Sequence, residues 1–471
     1  VLVGACLIGL CIFGIRGRTG YNPIKVSAAY FCQDAFLNQL GVSPTFNLLT
    51  SVMDDMRPEN KYLHLMDEQE AITKAQALLN RPGDANVSPL AVYRHAAKAD
   101  SVQQRRPNVV LIMMESMSAK FMKHFGQSET LTPFLDSLYT RSISFRNFYS
   151  AGIHTNHGLY ATLYSFPAMM KRNLMKGSVI PRYSGLPTVL KENGYYNLFF
   201  MTHEGQYDNM NAFFRTNGYD EVFSQEDYPA DKVVNSFGVQ DDFLYDYAIP
   251  VLNQRAATGQ PFFATLLSIS NHPPYVIPPF FHPKTSEPEM QIVEYADWAL
   301  RQFFEEARKQ PWFDNTIFVL EGDHGKLVGD AECELPESYN HIPLMIYSSR
   351  IQPEEKTTFG GQVDIQPTIL GLLNIDYLQN NFGVDLLKEE RPCMFYTADN
   401  MVVGRNDTLL YLYNYETQQE LTYDIGNGKL NAVPMDDSFL PLKEYSFSML
   451  QSAEFLVKHG KTLNSIPFTQ Q

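Results

Sequence analysis

Short apolar runs that end in polar, reactive residues are the main feature of the central part of this chain. Residues 316–320 (TIFVL) are apolar, rich in β-formers and bounded by turn formers, which predicts a buried strand. This run leads directly into EGDHG at 321–325. A second run, NVVLIMM at 108–114, ends in the same way on Glu115 and Ser116. Charged groups at such positions are costly to bury unless they bind something.

Beyond residue 107, similar runs alternate with helical patterns. Further strands are predicted at 196–202, 262–269 and 344–347. Helices are predicted at 132–140, 187–193, 293–309 and 365–373. Alternating strands and helices are typical of βαβ units that build a parallel sheet. The sequence therefore predicts an α/β fold with a mostly parallel central sheet flanked by helices.

The two ends of the chain have different patterns. Residues 1–15 are apolar and uncharged, and although they fall short of the roughly 20 residues that span a bilayer, they are interpreted as the end of a transmembrane helix. Residues 16–106 are predicted to be a helical juxtamembrane connector with an amphipathic helix at 68–79. Residues 107–390 form the predicted main domain, and 391–471 a small α+β C-terminal subdomain. Antiparallel strands are predicted there at 409–413 and 420–423.

Composition and charge restrict the possible functions. With 44% hydrophobic residues, the 471-residue chain can bury a sizeable core. A net charge of −15 argues against a nucleic-acid surface and against broad adhesion to anionic lipid, but allows one lipid bound at a local site. The five cysteines are too few and too scattered for a disulfide framework. The sequence leaves open whether Cys333 and Cys393 form a disulfide.

Glu115, Asp323 and His324 are the candidate metal ligands. In open α/β sheets, ligands bind outside the carboxyl ends of the strands, which is where both apolar runs place these side chains. Carboxylates with one imidazole suit a divalent cation such as Mn²⁺, Mg²⁺ or Zn²⁺.

Thr155 is the candidate nucleophile. It lies in AGIHTNHG at 151–158, immediately before a helical pattern at 159–164. The spacing alone favours a helix N-cap for a threonine in this position. The functional alternative is a hydroxyl activated by the positive helix terminus and a neighbouring metal. His154 and His157 either orient a phosphate or are surface histidines.

Three further histidines lie next to predicted strands. His272, in SNHPPY at 270–275, is held by the prolines that follow it. It is interpreted as a phosphate ligand or a general acid for the leaving group, with a structural loop histidine as the alternative. His203 follows the strand at 196–202 and is a weaker candidate of the same kind. His341 is a candidate substrate contact too, but it precedes its strand, which favours a structural role.

Four motifs, taken in order, carry a resemblance to a known family. They are NVVxxxxES at 108–116, GxxTxxG at 152–158, SNHxPY at 270–275 and GDHG at 322–325. Together they resemble the sulfatase-type branch of the alkaline phosphatase superfamily, and more closely its lipoteichoic acid synthase and phosphoglycerol transferase group. The resemblance covers about residues 108–390, which it implies to be a sulfatase-like catalytic domain. It also implies transmembrane helices before an extracytoplasmic catalytic domain.

The resemblance also implies a role for each motif residue. The implied ligands of one metal ion, commonly manganese, are Glu115, Thr155, Asp323 and His324. Thr155 would be the nucleophile, and His272 would contact the substrate phosphoryl group. The implied reaction moves a phospho-headgroup from a membrane phospholipid to an envelope glycan or polymer through a phosphothreonine intermediate.

Two departures from the family patterns bear on the reaction. Sulfatases carry Cys or Ser in a C/S-x-P-x-R motif where this chain has TNHGL at 155–159, which argues against sulfate-ester hydrolysis. Glycerol-phosphate enzymes carry a Trp-Asn-Arg-like cluster where this chain has YDNM at 207–210, without the arginine. Such an arginine would bind a phosphate through two hydrogen bonds. Arg215, in the next helical turn, is the candidate substitute.

Two alternatives to a phosphotransferase stay open. One is a phosphodiesterase or phosphatase on the same scaffold, with water as the acceptor. The other is a non-catalytic envelope-binding domain, against which the retained ligands and nucleophile argue. The two arginines after the apolar segment indicate the opposite membrane orientation. By themselves, Arg16 and Arg18 predict that the chain after residues 1–15 lies on the cytoplasmic side.

Overall fold

An eight-stranded sheet forms the centre of this computed structural model, which describes residues 2–18, 23–32, 35–57, 61–80, 92–96, 106–177 and 180–464. The strands of the chain are β1 (Tyr93–Ala96), β2 (Asn108–Met114), β3 (Ile143–Tyr149), β4 (Tyr196–Met201), β5 (Glu221–Phe223), β6 (Phe262–Leu267), β7 (Thr316–Gly322), β8 (Leu344–Tyr347), β9 (Glu354–Gly361), β10 (Tyr377–Asn380), β11 (Met394–Thr397), β12 (Met401–Arg405), β13 (Leu409–Asn414), β14 (Gln419–Asp424) and β15 (Asn431–Ala432). The α-helices are α1 (Leu2–Arg16), α2 (Ala35–Leu40), α3 (Pro44–Asp55), α4 (Glu68–Leu79), α5 (Pro133–Tyr139), α6 (Thr155–Tyr164), α7 (Leu186–Glu192), α8 (Met210–Thr216), α9 (Asp241–Ala257), α10 (Pro288–Ala307), α11 (Ile365–Leu372) and α12 (Leu440–Lys458).

The central sheet is mostly parallel. Its spatial order is β5-β4-β6-β2-β7-β8-β3-β9, and β8 is the strand that runs antiparallel to both neighbours. The central strands β2, β6 and β7 are buried at every position, as expected for parallel strands covered on both faces. The predicted α/β fold with a mostly parallel sheet is confirmed.

Two hydrophobic cores lie on opposite faces of this sheet. Along β2, Val109 and Leu111 point into one core, whereas Val110 and Ile112 point into the other, because successive side chains of a strand alternate. The first core includes α6, α7, α8 and α11 and continues into the C-terminal part of the chain. The second core is covered by α5, α9 and α10.

The register between β2 and β7 determines where the two motif segments meet. Met114 is paired with Gly322, and the Asp323 amide donates to the Met114 carbonyl at 3.0 Å. The residues that follow the two strands, Glu115 and Asp323, are therefore neighbours at the carboxyl edge of the sheet.

The C-terminal part packs against the segment that precedes the central sheet. Strands β11 to β15 form an antiparallel sheet in chain order, so the strands predicted at 409–413 and 420–423 are confirmed. Helix α4 lies against α12, where Lys458 pairs with Glu68 at 2.9 Å. Strand β1 pairs with β10. The division of the chain at residues 106 and 390 stays a prediction.

Several elements that the sequence analysis missed have mixed patterns of apolar and polar residues. Strand β3 (ISFRNFY) and the outer strand β9 (EEKTTFGG) are partly exposed and carry charged residues. Helix α9 contains Pro250. The strands and helices predicted between residues 107 and 390 form at their expected places, although α10 begins earlier, at Pro288.

The apolar N-terminal segment forms α1, a helix of 15 residues with no buried side chain. Among the described residues, no helix combines the length and apolar character needed to cross a membrane. The transmembrane interpretation of residues 1–15 therefore stays a prediction. Cys333 and Cys393, both within the described part of the chain, are free thiols.

Asp297 is a buried carboxylate that caps a neighbouring helix. Its oxygens accept the backbone N–H groups of Phe134 and Leu135, both at 2.9 Å, in the first turn of α5. The side chain lies in α10 and is 3% exposed. Burial raises the pKa of Asp297 to about 7, even though the two backbone donors favour the charged form.

We expect Asp297→Asn to flatten the pH dependence of stability between about pH 4 and pH 7. In this range the folded state binds a proton at Asp297 that the unfolded state has lost, so the free energy of unfolding decreases as pH rises. The slope from one such group is at most about 1.4 kcal/mol per pH unit. Urea unfolding of the wild type and of Asp297→Asn across this range measures the slope, and the exposed Asp314→Asn is the control. Identical slopes for the three proteins would contradict the assignment of the shifted pKa to Asp297.

Candidate active site

The candidate site lies where β2 and β7 end, in the middle of the central sheet. Glu115 follows β2 and is 1% exposed, and Asp323 follows β7 and is fully buried. Each residue directly follows a buried apolar strand. The hydrogen bonds between these two strands therefore fix the backbone positions of Glu115 and Asp323.

Asp323 has one satisfied and one unsatisfied oxygen. Its Oδ1 accepts the backbone N–H groups of Ser116 at 2.8 Å and of His324 at 2.7 Å. Its buried Oδ2 has no hydrogen-bond partner among the described residues. An unpaired buried carboxylate oxygen is costly, and a bound cation would remove that cost.

His324 directs one ring nitrogen at the two carboxylates. Its Nδ1 lies 2.7 Å from the Gly325 carbonyl, which only accepts, so Nδ1 carries a proton, and in the neutral imidazole Nε2 carries the lone pair that a metal ion needs. Nε2 lies 3.6 Å from Asp323 Oδ2 and 3.8 Å from Glu115 Oε1. One ligand atom from each of the three residues lies within 4.8 Å of the other two.

Glu115 is buried close to a second negative charge. Its Oε1 accepts the Ser116 hydroxyl at 2.7 Å, and its backbone N–H donates to Ser268 Oγ at 3.0 Å. Burial, followed by the charge of Asp323, holds the pKa of Glu115 well above its usual range. A divalent cation would favour the charged form of both carboxylates. Two carboxylates and one imidazole therefore fit a divalent metal ion, as the sequence predicted.

Thr155 is the first residue of α6, and the N-cap of this helix is His154. The Thr155 hydroxyl donates to Glu115 Oε2 at 3.4 Å instead of capping the backbone. The helix-capping role that the spacing favoured is therefore not observed. The hydroxyl lies at the positive end of the helix dipole, which stabilises a developing negative charge.

Helix α6 is held tightly against the Asp323 segment. A Cβ atom at Gly158 would lie 2.2 Å from the Asp323 carbonyl oxygen, so only glycine allows this approach. The Gln362 side chain donates to the same carbonyl at 2.8 Å and accepts the Ala151 N–H at 2.9 Å. These contacts fix Thr155 relative to the carboxylates.

The two histidines that flank Thr155 have different environments. His154 Nε2 lies 2.6 Å from Asp399 Oδ1, and this half-exposed pair connects the start of α6 to the turn between β11 and β12. His157 is buried, and neither of its ring nitrogens has a hydrogen-bond partner among the described residues. Burial lowers the pKa of His157 to about 3.

His272 and His203 both lie on loops that follow central strands. His272 donates from Nδ1 to the Pro273 carbonyl at 2.6 Å, which leaves Nε2 as a proton acceptor. Burial lowers the pKa of His272, and its ring lies 4.0 Å from that of Phe237. His203 is buried, with its ring 4.7 Å from that of Tyr207, and burial lowers its pKa too.

Two predicted residues have other contacts. His341 lies 2.8 Å through Nε2 from the Arg146 carbonyl and stacks on Tyr149. Arg215 donates to Asn211 Oδ1 at 2.8 Å and to the Val222 carbonyl. The structure thus groups Glu115, Thr155, Asp323 and His324, but shows no contact of His341 or Arg215 with them. The roles assigned from the sequence stay predictions.

The sequence analysis missed two polar residues next to its motifs. Asn271 donates to the carbonyls of Glu115 and Ser116, both at 3.1 Å. Lys326 donates to Asn271 Oδ1 at 2.7 Å and to the Tyr275 hydroxyl at 3.1 Å. Asn271 lies inside SNHPPY and Lys326 directly follows GDHG, so their positions in the sequence could have indicated that they lie close to the site. Asp399 carried no such signal, because it comes from a distant part of the chain.

Comparison with known proteins agrees with this geometry. A protein-family model, Sulfatase, matches residues 107–375. The chain is 25% identical over 350 residues to lipoteichoic acid synthase 1 of Bacillus subtilis, covering 68% of this chain and 53% of the relative. It is 23% identical over 374 residues to lipoteichoic acid synthase of Staphylococcus aureus strain USA300, covering 70% and 54%. The chain therefore spans about half the length of these curated relatives.

Solved structures show the same fold. An alkaline phosphatase superfamily protein from Vibrio parahaemolyticus superposes with a TM-score of 0.75 at 26% identity, covering 85% of this chain and 98% of that one. A lipoteichoic acid synthase from Listeria monocytogenes gives 0.65 at 21% identity, covering 77% and 96%. The alkaline phosphatase-like fold and the resemblance found in the motifs are confirmed.

We expect the chain to bind one Mn²⁺ ion, and Asp323→Asn to weaken this binding by at least about 100-fold, because a charged ligand becomes neutral. Calorimetric titration of chelator-treated protein measures the affinity and stoichiometry. Asp330→Asn, at an exposed position, is the matched control. Equal Mn²⁺ binding by all three proteins would show that the acidic cluster is not a metal site.

We expect Gly158→Ala to weaken Mn²⁺ binding, because the added methyl group must push α6 away from Asp323. In an unconstrained helix the same change is favourable by about 1 kcal/mol. Gly9→Ala in α1, where the new methyl group meets open space, is the matched control. The same titration compares the variants, and unaltered binding by Gly158→Ala would exclude a positioning role for this contact.

Proposed function

The chain belongs to the sulfatase family, and from this membership we propose that it is a metal-dependent phosphotransferase of the cell envelope. It would move a phospho-headgroup, of phosphoglycerol or phosphoethanolamine type, from a membrane phospholipid to an envelope glycan or polymer. The observation that carries the proposal is the Thr155 hydroxyl, 3.4 Å from Glu115, in one cluster with Asp323 and His324. The lipoteichoic acid synthase relatives support the transferase reaction.

The residues that would hold the metal ion are Glu115, Thr155, Asp323 and His324. When bound, a divalent ion supplies Lewis acidity and lowers the pKa of a coordinated hydroxyl. The family resemblance favours Mn²⁺, and the donor set also suits Mg²⁺ or Zn²⁺.

In the first half-reaction, Thr155 Oγ1 attacks the phosphorus of the donor lipid. A bond forms between this oxygen and phosphorus, and the bond from phosphorus to the diacylglycerol oxygen breaks. The proton of the Thr155 hydroxyl passes to Glu115, and the departing diacylglycerol oxygen takes a proton from solvent water. Glu115 accepts the hydrogen bond of the Thr155 hydroxyl, and the α6 terminus favours the negative charge that develops on the Thr155 oxygen.

In the second half-reaction, an acceptor hydroxyl attacks the phosphothreonine. The new oxygen–phosphorus bond forms, the bond to Thr155 breaks, and the Thr155 oxygen regains the proton held by Glu115. His272 is the proposed phosphoryl contact, and its unprotonated Nε2 can take up the proton of the attacking hydroxyl. His203, His154, His157, Arg215 and His341 stay proposed substrate contacts.

The catalytic domain is proposed to lie outside the membrane, anchored through residues 1–15. Helix α1 supports this because its apolar side chains are exposed on every side. The hydrolase alternative uses the same first half-reaction and differs only in its acceptor, water. The intact Glu115, Asp323 and His324 cluster argues against a purely binding function.

We expect the wild-type chain, incubated with Mn²⁺ and phosphatidylglycerol or phosphatidylethanolamine vesicles, to gain a mass equal to one phospho-headgroup. Thr155→Ala should gain none, because it lacks the attacking oxygen, while the exposed Thr140→Ala should gain the same mass as the wild type. Intact-protein mass spectrometry measures the adduct.

An adduct that survives Thr155→Ala would contradict the assignment of the nucleophile. An adduct that transfers to an added polyol supports the transferase, whereas release of free headgroup phosphate without transfer supports the hydrolase. Retention of Mn²⁺ by wild-type protein that forms no adduct and releases no headgroup from either lipid would contradict the lipid donor.

A further inference from the structure

Exposed large apolar side chains are concentrated in the first part of the described chain. Most of them lie before residue 57, in α1 and in the segment around α3. Among the described residues after position 80, the exposed large apolar side chains are those of Val234, Phe280, Leu327 and Leu440. Soluble surfaces rarely expose such contiguous apolar groups, and patches of this kind mark contact with protein or membrane.

Helix α3 has two different faces. Its outer face is an apolar stripe at helical spacing, in which Leu48, Leu49 and Val52 are exposed by 65%, 60% and 48%, and Met56 continues the stripe. Its inner face, with Phe46 and Thr50, lines a cavity of 280 Å³. A helix with an apolar outer face over a cavity is suited to lie at a membrane surface.

We call this space the shelf cavity, and it combines apolar and basic side chains. It lies between α3, residues 24–26 and four further residues, Lys176, Gly177, Ile180 and Asn209. Its apolar residues are Ile24, Val26, Phe46, Met53 and Ile180, and its basic residues are Lys25, Arg57 and Lys176. Three basic side chains collect here in a chain with a net charge of −15, and although Lys176 is already paired with Asp208, together they favour an anionic, partly apolar ligand.

The basic side of the shelf cavity is connected to the nucleophile. Lys176 pairs with Asp208 Oδ1 at 2.8 Å, and Asp208 Oδ2 accepts the side-chain amide of Asn156 at 3.3 Å. Asn156 directly follows Thr155. The cavity is therefore separated from the attacking residue by one ion pair and one hydrogen bond.

The segment that forms the cavity is fixed to the catalytic domain by specific contacts. Arg18 pairs with the buried Glu204 at 2.6 Å, and the Lys25 N–H donates to Gln206 Oε1 at 3.2 Å. The Asn211 side chain donates to the Tyr30 carbonyl at 2.8 Å. Glu204 and Gln206 belong to the loop after β4, at the same edge of the sheet as the active site.

We propose that the shelf cavity binds the glycerol backbone and the first acyl-chain carbons of an anionic diacyl phospholipid. The outer face of α3 lies in the membrane surface, and the lipid phosphodiester extends past Lys176 towards Thr155. The cavity volume is at the lower end of small-molecule sites, so the remaining acyl chain stays in the bilayer. This inference rests on the proposed function, in which the diacylglycerol part leaves next to the nucleophile.

Photolabelling of the full chain tests the inference. The chain carries Thr155→Ala, so that no turnover consumes the probe. It is mixed with phosphatidylcholine vesicles that contain phosphatidylglycerol with a diazirine at the start of one acyl chain. After irradiation, peptide mapping by mass spectrometry locates the label. We expect labels within residues 44–57 and at Lys176, Gly177 or Ile180, and weaker labelling there by a phosphatidylcholine probe with the same diazirine.

Two substitutions at matched phenylalanines sharpen the test. Phe46→Glu should reduce labelling of these peptides by about tenfold, because an unpaired carboxylate disfavours an apolar ligand. Phe280→Glu, at an exposed site outside the cavity, should leave the labelling unaltered. Thr50→Trp, which fills the cavity without adding charge, should reduce it as Phe46→Glu does. Thermal unfolding confirms that each variant is folded.

Labels confined to residues 2–16, or equal labelling in Phe46→Glu and Phe280→Glu, would overturn the cavity assignment. Equal labelling by both probes would overturn the preference for anionic lipid. The result is distinguishable from the headgroup-adduct experiment. A headgroup adduct without labels in the shelf cavity would support the transferase function and contradict lipid binding in the cavity. Cavity labels without an adduct would support lipid binding in the cavity and contradict the transferase function.

Discussion

The buried pair of carboxylates at the ends of β2 and β7 is the constraint on which the rest of the site depends. The parallel register places Glu115 and Asp323 side by side in the interior, where two negative charges would repel strongly, and burial, followed by this repulsion, raises the pKa of Glu115. The chain compensates them only in part, with the N–H groups of Ser116 and His324 on one Asp323 oxygen. The other oxygen and the His324 Nε2 lone pair are left facing each other, as two ligands of one cation would be.

The placement of Thr155 follows from the same constraint. Helix α6 can approach Asp323 only because residue 158 is glycine, and Gln362 connects the two segments through their backbone groups. The helix terminus brings partial positive charge to the acidic cluster, which offsets part of its repulsion. The Asp399–His154 pair adds a contact from the C-terminal sheet. Elements distant in the chain thus position one hydroxyl against one carboxylate.

Charge and apolar surface are distributed unequally over the molecule. The overall charge is strongly negative, yet basic side chains collect between α3 and the active-site edge of the sheet. The exposed apolar side chains collect in the same N-terminal part. A protein with this distribution is repelled by an anionic surface over most of its area and attracted at one place. That place is close to Thr155, the proposed nucleophile, which fits the proposed delivery of a substrate from a membrane.

The sequence by itself determined the fold class, the central strands and the cluster of Glu115, Asp323 and His324. These strands are buried on both faces, so their apolar runs are continuous, and the reactive residues follow them directly in the chain. Only the tertiary structure decided that Thr155 is not the cap of α6, that β8 is antiparallel, and that Lys326 and Asp399 border the site. Half-exposed strands such as β3 and β9 lack a continuous pattern. Contacts between distant segments depend on register and packing, which no local pattern of residues records.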